Sequence, residues 1–236
     1  SVMSDAEEIA KAVQKAASLG EKSLETSEIV GGFLARVFKE PIEEVTGMLT
    51  DKLRFVRWRR LVQMSDDVSK ILDAKGVKET RSVPPKLALP IFEESSLEED
   101  PTLQDLWNHL LANSMNPGFN GELRYGFIEM IKNITGSEVA ILNNFYETLK
   151  REDRLQNISE LSNYSLKKEQ IERIVGISAD QYQVNIYNLM RMQCIGPAIL
   201  KSTGIIMGDE PTTIYKGVDS VVLTPLGVRF VEACIK

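Results

Sequence analysis

The stretch that decides the fold is Ile171-Glu-Arg-Ile-Val-Gly-Ile-Ser-Ala-Asp-Gln-Tyr-Gln-Val-Asn-Ile-Tyr-Asn-Leu-Met190. Apolar residues recur at helical spacing on both sides of Gly176, and Ser178 is a residue type that favours the start of a helix. The residues predicted to face inward are Ile171, Ile174, Val175, Tyr182, Ile186, Leu189 and Met190. The pattern therefore predicts a short helix after Ser165, a tight turn and a longer helix, which is the arrangement of a helix-turn-helix pair.

The elements around this pair predict a winged-helix-like module. A helix that follows Ser137 precedes the pair, and strands are expected at Ala198–Lys201 and Ser220–Leu223, with Thr224-Pro225 starting a closing helix. The long connection between the two strands would form the wing of a small β-hairpin, because it is rich in turn residues. These turn residues are Gly204, Gly208, Pro211 and Gly217.

The part of the chain before this module is predicted to form a helical domain. A first helix is expected after Ser4, a second after Thr26 or Ser27, and a long amphipathic helix runs from Pro41 to Gly76. Asp100 and Pro101 are suited to begin a further helix that carries Trp107. Thr135-Gly-Ser137 reads as the end of one helix and the start of the next, with Ser137 as the cap.

The sequence thus predicts a mainly α protein of two domains. Residues 1–135 form a helical domain with one long Arg-rich helix, and residues 136–236 form the winged-helix-like domain. The 236 residues exceed the size of a typical single core, in agreement with two domains.

The long helix contains the densest basic segment, Lys52-Leu-Arg-Phe-Val-Arg-Trp-Arg-Arg60. Its cations spread around the helix at about 100° per residue and do not form one stripe, so a solvated face is favoured over a phosphate-binding one. Arg57 lies near the apolar stripe and needs an acidic partner if it is buried. The candidates for such a structural ion pair are Glu98, Glu99 and Asp100.

The longer helix of the pair offers candidate contacts to DNA or to a protein partner. Gln181, Asn185 and Asn188 are predicted to lie opposite the apolar stripe, and Asn and Gln amides can pair with adenine edges in a major groove. Arg191 is a further candidate contact. From residue 137 onward, however, 11 Lys and Arg residues stand against 12 Asp and Glu residues, a net charge of −1. Because duplex binding relies on cations that neutralise phosphates, this balance disfavours DNA and favours packing or protein contact.

No catalytic, cofactor-binding or metal-binding residue is predicted. His109 is the single histidine, and neither a nucleophile-base pattern nor a glycine-rich phosphate loop is visible. Cys194 and Cys234 lack the spacing of a zinc site and predict no disulfide framework. The chain is expected to bind no cofactor.

The charge and hydropathy patterns indicate the cellular setting. The net charge is −6, no apolar run approaches the roughly 20 residues that span a bilayer, and the acidic first segment does not resemble a signal peptide. A cytoplasmic protein without a membrane span is expected.

The segments Val83-Pro-Pro-Lys-Leu-Ala-Leu-Pro90 and Ser96-Leu-Glu-Glu-Asp-Pro-Thr-Leu-Gln-Asp-Leu-Trp-Asn-His-Leu-Leu-Ala-Asn-Ser114 resemble the Abi-alpha family of bacterial proteins. The Arg-rich helix from Phe55 to Arg60 and the segment from Ile134 to Leu142 are also similar to that family. The resemblance runs from about Phe33 to the C-terminus. It implies a role in abortive phage infection and supplies no mechanism and no catalytic residues.

Three hypotheses follow. The leading one is a non-enzymatic phage-defence or regulatory protein that acts through contacts with a protein partner, with homodimerisation as a reasonable accompaniment. The first alternative is a winged-helix transcription regulator that reads DNA through Gln181, Asn185 and Asn188. The second is a cryptic metal-dependent enzyme that uses the acids from Glu98 to Asp100.

Overall fold

The computed structural model describes residues 23–39, 58–198 and 218–236. Three predicted features lie outside these residues: the first helix, the part of the Arg-rich helix that contains Arg57, and the wing between the two predicted strands. Within the described ranges the protein is mainly helical, with nine α-helices and a small three-stranded antiparallel sheet. The prediction of a mainly α protein is confirmed.

The described residues fall into two compact units. Those up to Lys132, together with Ala233–Lys236, form the first unit, and Asn133–Glu232 contains the second. The helices that begin in the first unit are α1 (Ser23–Phe38), α2 (Trp58–Ala74), α3 (Pro85–Leu97), α4 (Pro101–Met115) and α5 (Gly126–Asn133).

The core of the first unit forms where α2 packs on α4. Both helices place apolar side chains at intervals of three and four residues, which puts them on one face. The buried residues on this face are Leu61, Met64, Val68, Leu72, Leu106, Trp107, Leu110 and Leu111. Phe92 of α3 adds edge-to-face contacts with two rings of α1, at centroid distances of 6.0 Å to Phe33 and 6.2 Å to Phe38.

Local capping chemistry explains where several helices begin and end. Gly76 takes a left-handed conformation (φ 67°) and donates its backbone N–H to Asp73 O, which closes α2. Asp100 accepts a 2.7 Å hydrogen bond from Thr102 N and begins α4, as predicted. The segment after Val83, predicted as a short apolar element, is the 13-residue helix α3, which begins at Pro85.

The elements that begin in the second unit follow in the order helix, strand, helix, helix, strand, strand, helix. They are α6 (Gly136–Arg151), β1 (Ser165–Lys167), α7 (Lys168–Val175), α8 (Ala179–Arg191), β2 (Ile195–Pro197), β3 (Ser220–Leu223) and α9 (Pro225–Cys234), with a 3₁₀ helix at Ile158–Asn163. The sheet order is β1-β3-β2, and both pairings are antiparallel.

One local prediction for this unit was wrong, and one strand was missed. Thr135, and not Ser137, caps α6, because its side chain accepts from Glu138 N while the Glu138 carboxylate accepts from Thr135 N in a capping box. The short helix predicted after Ser165 is α7, but the strand β1 that precedes it and pairs with β3 was not predicted. The strand β2 includes Ile195 opposite Leu223, and of the strand predicted at Ala198–Lys201 only Ala198 lies within the described residues, where its N–H donates to Ser220 O at 3.0 Å.

A close approach of backbone fixes the start of α9. The Thr224 hydroxyl is 2.6 Å from Gln193 O and also accepts a hydrogen bond from Gly227 N. A Cβ atom at Gly227 would overlap the carbonyl oxygen of Cys194. Only glycine therefore allows α9 to pack this tightly on the residues before β2.

We expect Gly227→Ala to destabilise the protein by about 2 kcal/mol or more, because the overlap forces backbone to move. Urea unfolding followed by circular dichroism measures the change. Gly32→Ala in α1 is the matched control. An added Cβ there meets open space, so helix propensity should make this variant neutral or more stable by up to about 1 kcal/mol. Equal effects of the two substitutions would contradict the packing described for Gly227.

The two cysteines provide a second test of the fold. Both are buried as thiols, and burial raises the pKa of Cys194 to about 12, with the nearby Glu138 carboxylate adding to the effect. At pH 8 the Cys194 thiol is therefore protonated as well as shielded. We expect both cysteines to react with a chromogenic disulfide reagent in urea, and neither to react at a comparable rate in the folded protein. Fast labelling of Cys194 without urea would show that this part of the second unit is open.

Candidate contact face of the helix pair

The turn between α7 and α8 is built from local hydrogen bonds. Gly176 ends α7 in a left-handed conformation (φ 73°), and Ser178 caps α8. The Ser178 hydroxyl accepts from Gln181 N at 3.3 Å, and Gln181 Oε1 accepts from Ser178 N at 2.9 Å. The Gln181 amide oxygen therefore takes part in starting the helix.

Asn185 and Asn188 face α6. Asn185 is 7% exposed, and its Nδ2 donates to Ser137 Oγ at 3.0 Å. Asn188 Nδ2 donates to Asn133 O at 2.9 Å and to Glu138 Oε1 at 2.8 Å. The sequence prediction that these side chains lie opposite the buried face of α8 is corrected, because α6 packs against that side of the helix.

Arg191 joins the same network. Its Nε and Nη2 donate to Asn188 Oδ1 at 3.2 and 2.8 Å. The structure thus links Arg191 to Asn188, places Asn185 beside them and leaves Gln181 at the start of α8. A contact of these four residues with DNA or a partner stays a prediction.

Glu138 is the anchor of this polar network. The residue is 1% exposed, and its two carboxylate oxygens accept from different groups, Oε2 from Thr135 N at 2.8 Å and Oε1 from Asn188 Nδ2. A buried carboxylate is tolerated only with such partners, because desolvation of an unpaired charge costs several kcal/mol. Glu138 therefore fixes α8 against the first turn of α6.

The solvent side of α8 carries a different set of residues. Asp180, Val184, Tyr187 and Arg191 are exposed and follow one another at helical spacing; we call them the outward face. Val184 is 70% exposed and Tyr187 51%, and on the neighbouring α7 Ile174 is 46% exposed. Sequence reasoning named Arg191 as a candidate contact but missed Val184 and Tyr187. The available signal was that Val184 and Tyr187 are apolar or aromatic residues that do not fit the inward stripe.

Glu98 and Asp100, which were predicted as part of a metal or ion-pair site, form hydrogen bonds at the start of α4. Glu98 Oε1 accepts from the backbone N–H groups of Glu99 and Asp100 at 2.9 and 3.0 Å, and Asp100 caps the helix. Arg57, their predicted partner, lies outside the described residues.

The described part of the chain contains no group of three His, Cys, Asp or Glu residues that could hold a metal ion. His109 lies beside Asp105, with Nδ1 at 3.0 Å from the backbone oxygen and 3.4 Å from the carboxylate. Each helix in the described ranges is too short or too polar to cross a membrane.

Comparison with known proteins identifies a family. The family model described as abortive infection alpha matches residues 59–234, which is more than half of the chain. No curated protein and no solved structure matches the chain.

We expect Asn188→Ala to lower the free energy of unfolding by about 2 kcal/mol, since it leaves one oxygen of the buried Glu138 without its donor. Urea unfolding measures the loss. Asn163→Ala in the same unit is the control, because Asn163 is exposed and should change stability by less than about 0.5 kcal/mol. If Asn188→Ala lowers the free energy of unfolding as little as the control does, the hydrogen bond from Asn188 is not needed to stabilise the buried Glu138.

Proposed function

The chain belongs to the abortive infection alpha family, and on this premise we propose that it acts in abortive infection by binding a protein partner through the outward face of α8. The proposed action is non-enzymatic and takes place in the cytoplasm of a bacterial cell. The observation that carries the proposal is the exposure of Val184 and Tyr187 on the outer side of the helix pair.

The chemistry of the outward face favours a protein over a nucleic acid. Val184 offers an aliphatic surface, and Tyr187 combines a large apolar ring with a hydroxyl, a combination enriched at protein interfaces. Asp180, in the first turn of the helix, places a negative charge where DNA-reading helices meet phosphates. The amides suited to base recognition, those of Asn185 and Asn188, hydrogen-bond within the protein.

We infer a winged-helix arrangement for the second unit. Support comes from the order of α6, β1, α7, α8, β2 and β3, from the central position of β3 in the sheet, and from the tight turn between α7 and α8. In this arrangement α8 occupies the position of a recognition helix. We propose that it recognises protein surface, and that the partner is either a host or phage protein or a second copy of the chain.

A double substitution tests the outward face. The double variant Val184→Ser/Tyr187→Ser removes the apolar surface of the outward face and changes no core residue. We therefore expect it to fold normally but to lose most of its protection against phage in a plaque assay. Loss of two central apolar contacts is enough to weaken a typical interface at least tenfold. Sedimentation equilibrium on both proteins shows whether the lost contact is a homodimer.

The matched control is Leu97→Ser, which removes another exposed apolar side chain, at the end of α3. It should leave protection intact. Full protection by the double variant at equal expression and equal thermal stability would overturn the proposed contact face.

The DNA alternative is tested separately. Fluorescence anisotropy with random duplex DNA at about 50 mM salt should show no binding, because the unit lacks excess positive charge. Salt-sensitive binding that Arg191→Ala weakens would favour the regulator hypothesis instead.

A further inference from the structure

The four residues of the outward face are arranged symmetrically along α8. Val184 and Tyr187 lie in the middle, three residues apart. Asp180 lies four residues before Val184, and Arg191 lies four residues after Tyr187. At about 100° per residue, the four side chains fall within a stripe that is about 60° wide. The spacing of this stripe is therefore the same when it is followed from either end of the helix.

The two ends of the stripe carry opposite charges. Asp180 lies in the first turn of α8 and Arg191 in its last turn, and both are exposed. They are about 16 Å apart along the helix axis, which is too far for an ion pair within one copy of the chain. In the ranges that the structure describes, neither side chain forms an ion pair with another residue. Each charge can therefore pair with a group on a binding partner.

A second copy of the stripe complements the first when the two helices run antiparallel. A two-fold axis midway between Val184 and Tyr187 places these two residues opposite each other in the two copies. The same axis places Asp180 of each copy opposite Arg191 of the other. A two-fold interface requires a surface that is complementary to itself, and the stripe meets this requirement in both its charges and its apolar residues. An unrelated partner would impose no such symmetry.

We propose that the outward face binds the outward face of a second copy, which forms an antiparallel homodimer through α8. This inference rests on the proposed function, in which the outward face is a contact surface, and it names the partner. A crossing angle of about 20°, which is common in helix bundles, keeps the two ends of the helices close enough for the pairs of Asp180 with Arg191. Among the described elements α6, α7 and β2 pack against α8, and the stripe remains exposed.

The small size of the stripe predicts a weak dimer. Its apolar part consists of Val184, which is 70% exposed, and Tyr187, which is 51% exposed. Two helix faces about 16 Å long bury less than the roughly 1,200 Å² that stable complexes bury. We therefore expect a dissociation constant in the micromolar range. The exposed ion pairs add little affinity, but they determine the relative direction of the two helices.

Sedimentation equilibrium on the full chain tests the proposal through charge reversal. The wild-type protein should pass from monomer to dimer between about 1 µM and about 1 mM. Asp180→Arg alone places arginines opposite each other at both ends of the contact, and Arg191→Asp alone places carboxylates opposite each other. Each substitution should raise the dissociation constant by about tenfold or more, because two attractive pairs become repulsive.

An equimolar mixture of the two variants tests the antiparallel pairing directly. In a mixed dimer each arginine faces a carboxylate, so the dissociation constant should return to within about threefold of the wild-type value. Recovery on mixing also shows that both variants are folded. The matched control is Arg124→Asp, which reverses the charge of an exposed arginine in the first unit. This control should leave the dissociation constant unchanged.

A wild-type chain that stays monomeric at about 1 mM would overturn the proposal. A dimer that neither reversal weakens, or that the mixture does not restore, would also overturn it. If the wild type is monomeric and Val184→Ser/Tyr187→Ser still loses phage protection, the contact face stands and its partner is another protein. If the wild type dimerises as described and that double variant protects fully, the homodimer stands and the proposed function fails.

Discussion

The second unit depends on one buried carboxylate. Glu138 closes the capping box that starts α6 and at the same time accepts from Asn188 on α8, so a single side chain sets both the beginning of one helix and the position of another. A carboxylate this deeply buried is stable only when both of its oxygens accept hydrogen bonds. Few placements of α8 relative to α6 satisfy this condition. The orientation of α8 determines in turn which of its residues meet solvent.

This constraint explains why the amides of α8 that could pair with adenine face α6, and why other side chains of α8 face solvent. Asn185 and Asn188 are drawn toward α6 by the polar groups at its start, and the side of α8 left to solvent is the one with Val184 and Tyr187. The second unit combines this helix pair with near-neutral charge and with two exposed apolar or aromatic side chains, Val184 and Tyr187. The proposed function therefore rests on those side chains and not on the order of elements.

Features governed by neighbouring residues could be predicted from the sequence. The ends of α2 at Gly76 and of α7 at Gly176, and the caps at Asp100 and Ser178, depend on residues within one helical turn. In contrast, β1 has only three residues and exists because β3 lies beside it, so no local pattern marks it.

The buried amides were beyond sequence reasoning for a related cause. The burial of Asn185 requires knowing that α6 covers more of α8 than its apolar stripe.

The central position of β3 has a consequence for biosynthesis. Both β1, which precedes the helix pair, and β2, which follows it, are held by a strand that the ribosome makes more than twenty residues after β2. The hydroxyl of Tyr182 on α8 also reaches its partner, Val218 O, only when that late segment has been synthesised. A nascent or truncated chain that ends at residue 198 carries the whole helix pair without the sheet that anchors it. The sheet of this module is therefore completed only after β3 has been synthesised, later than every residue of the outward face.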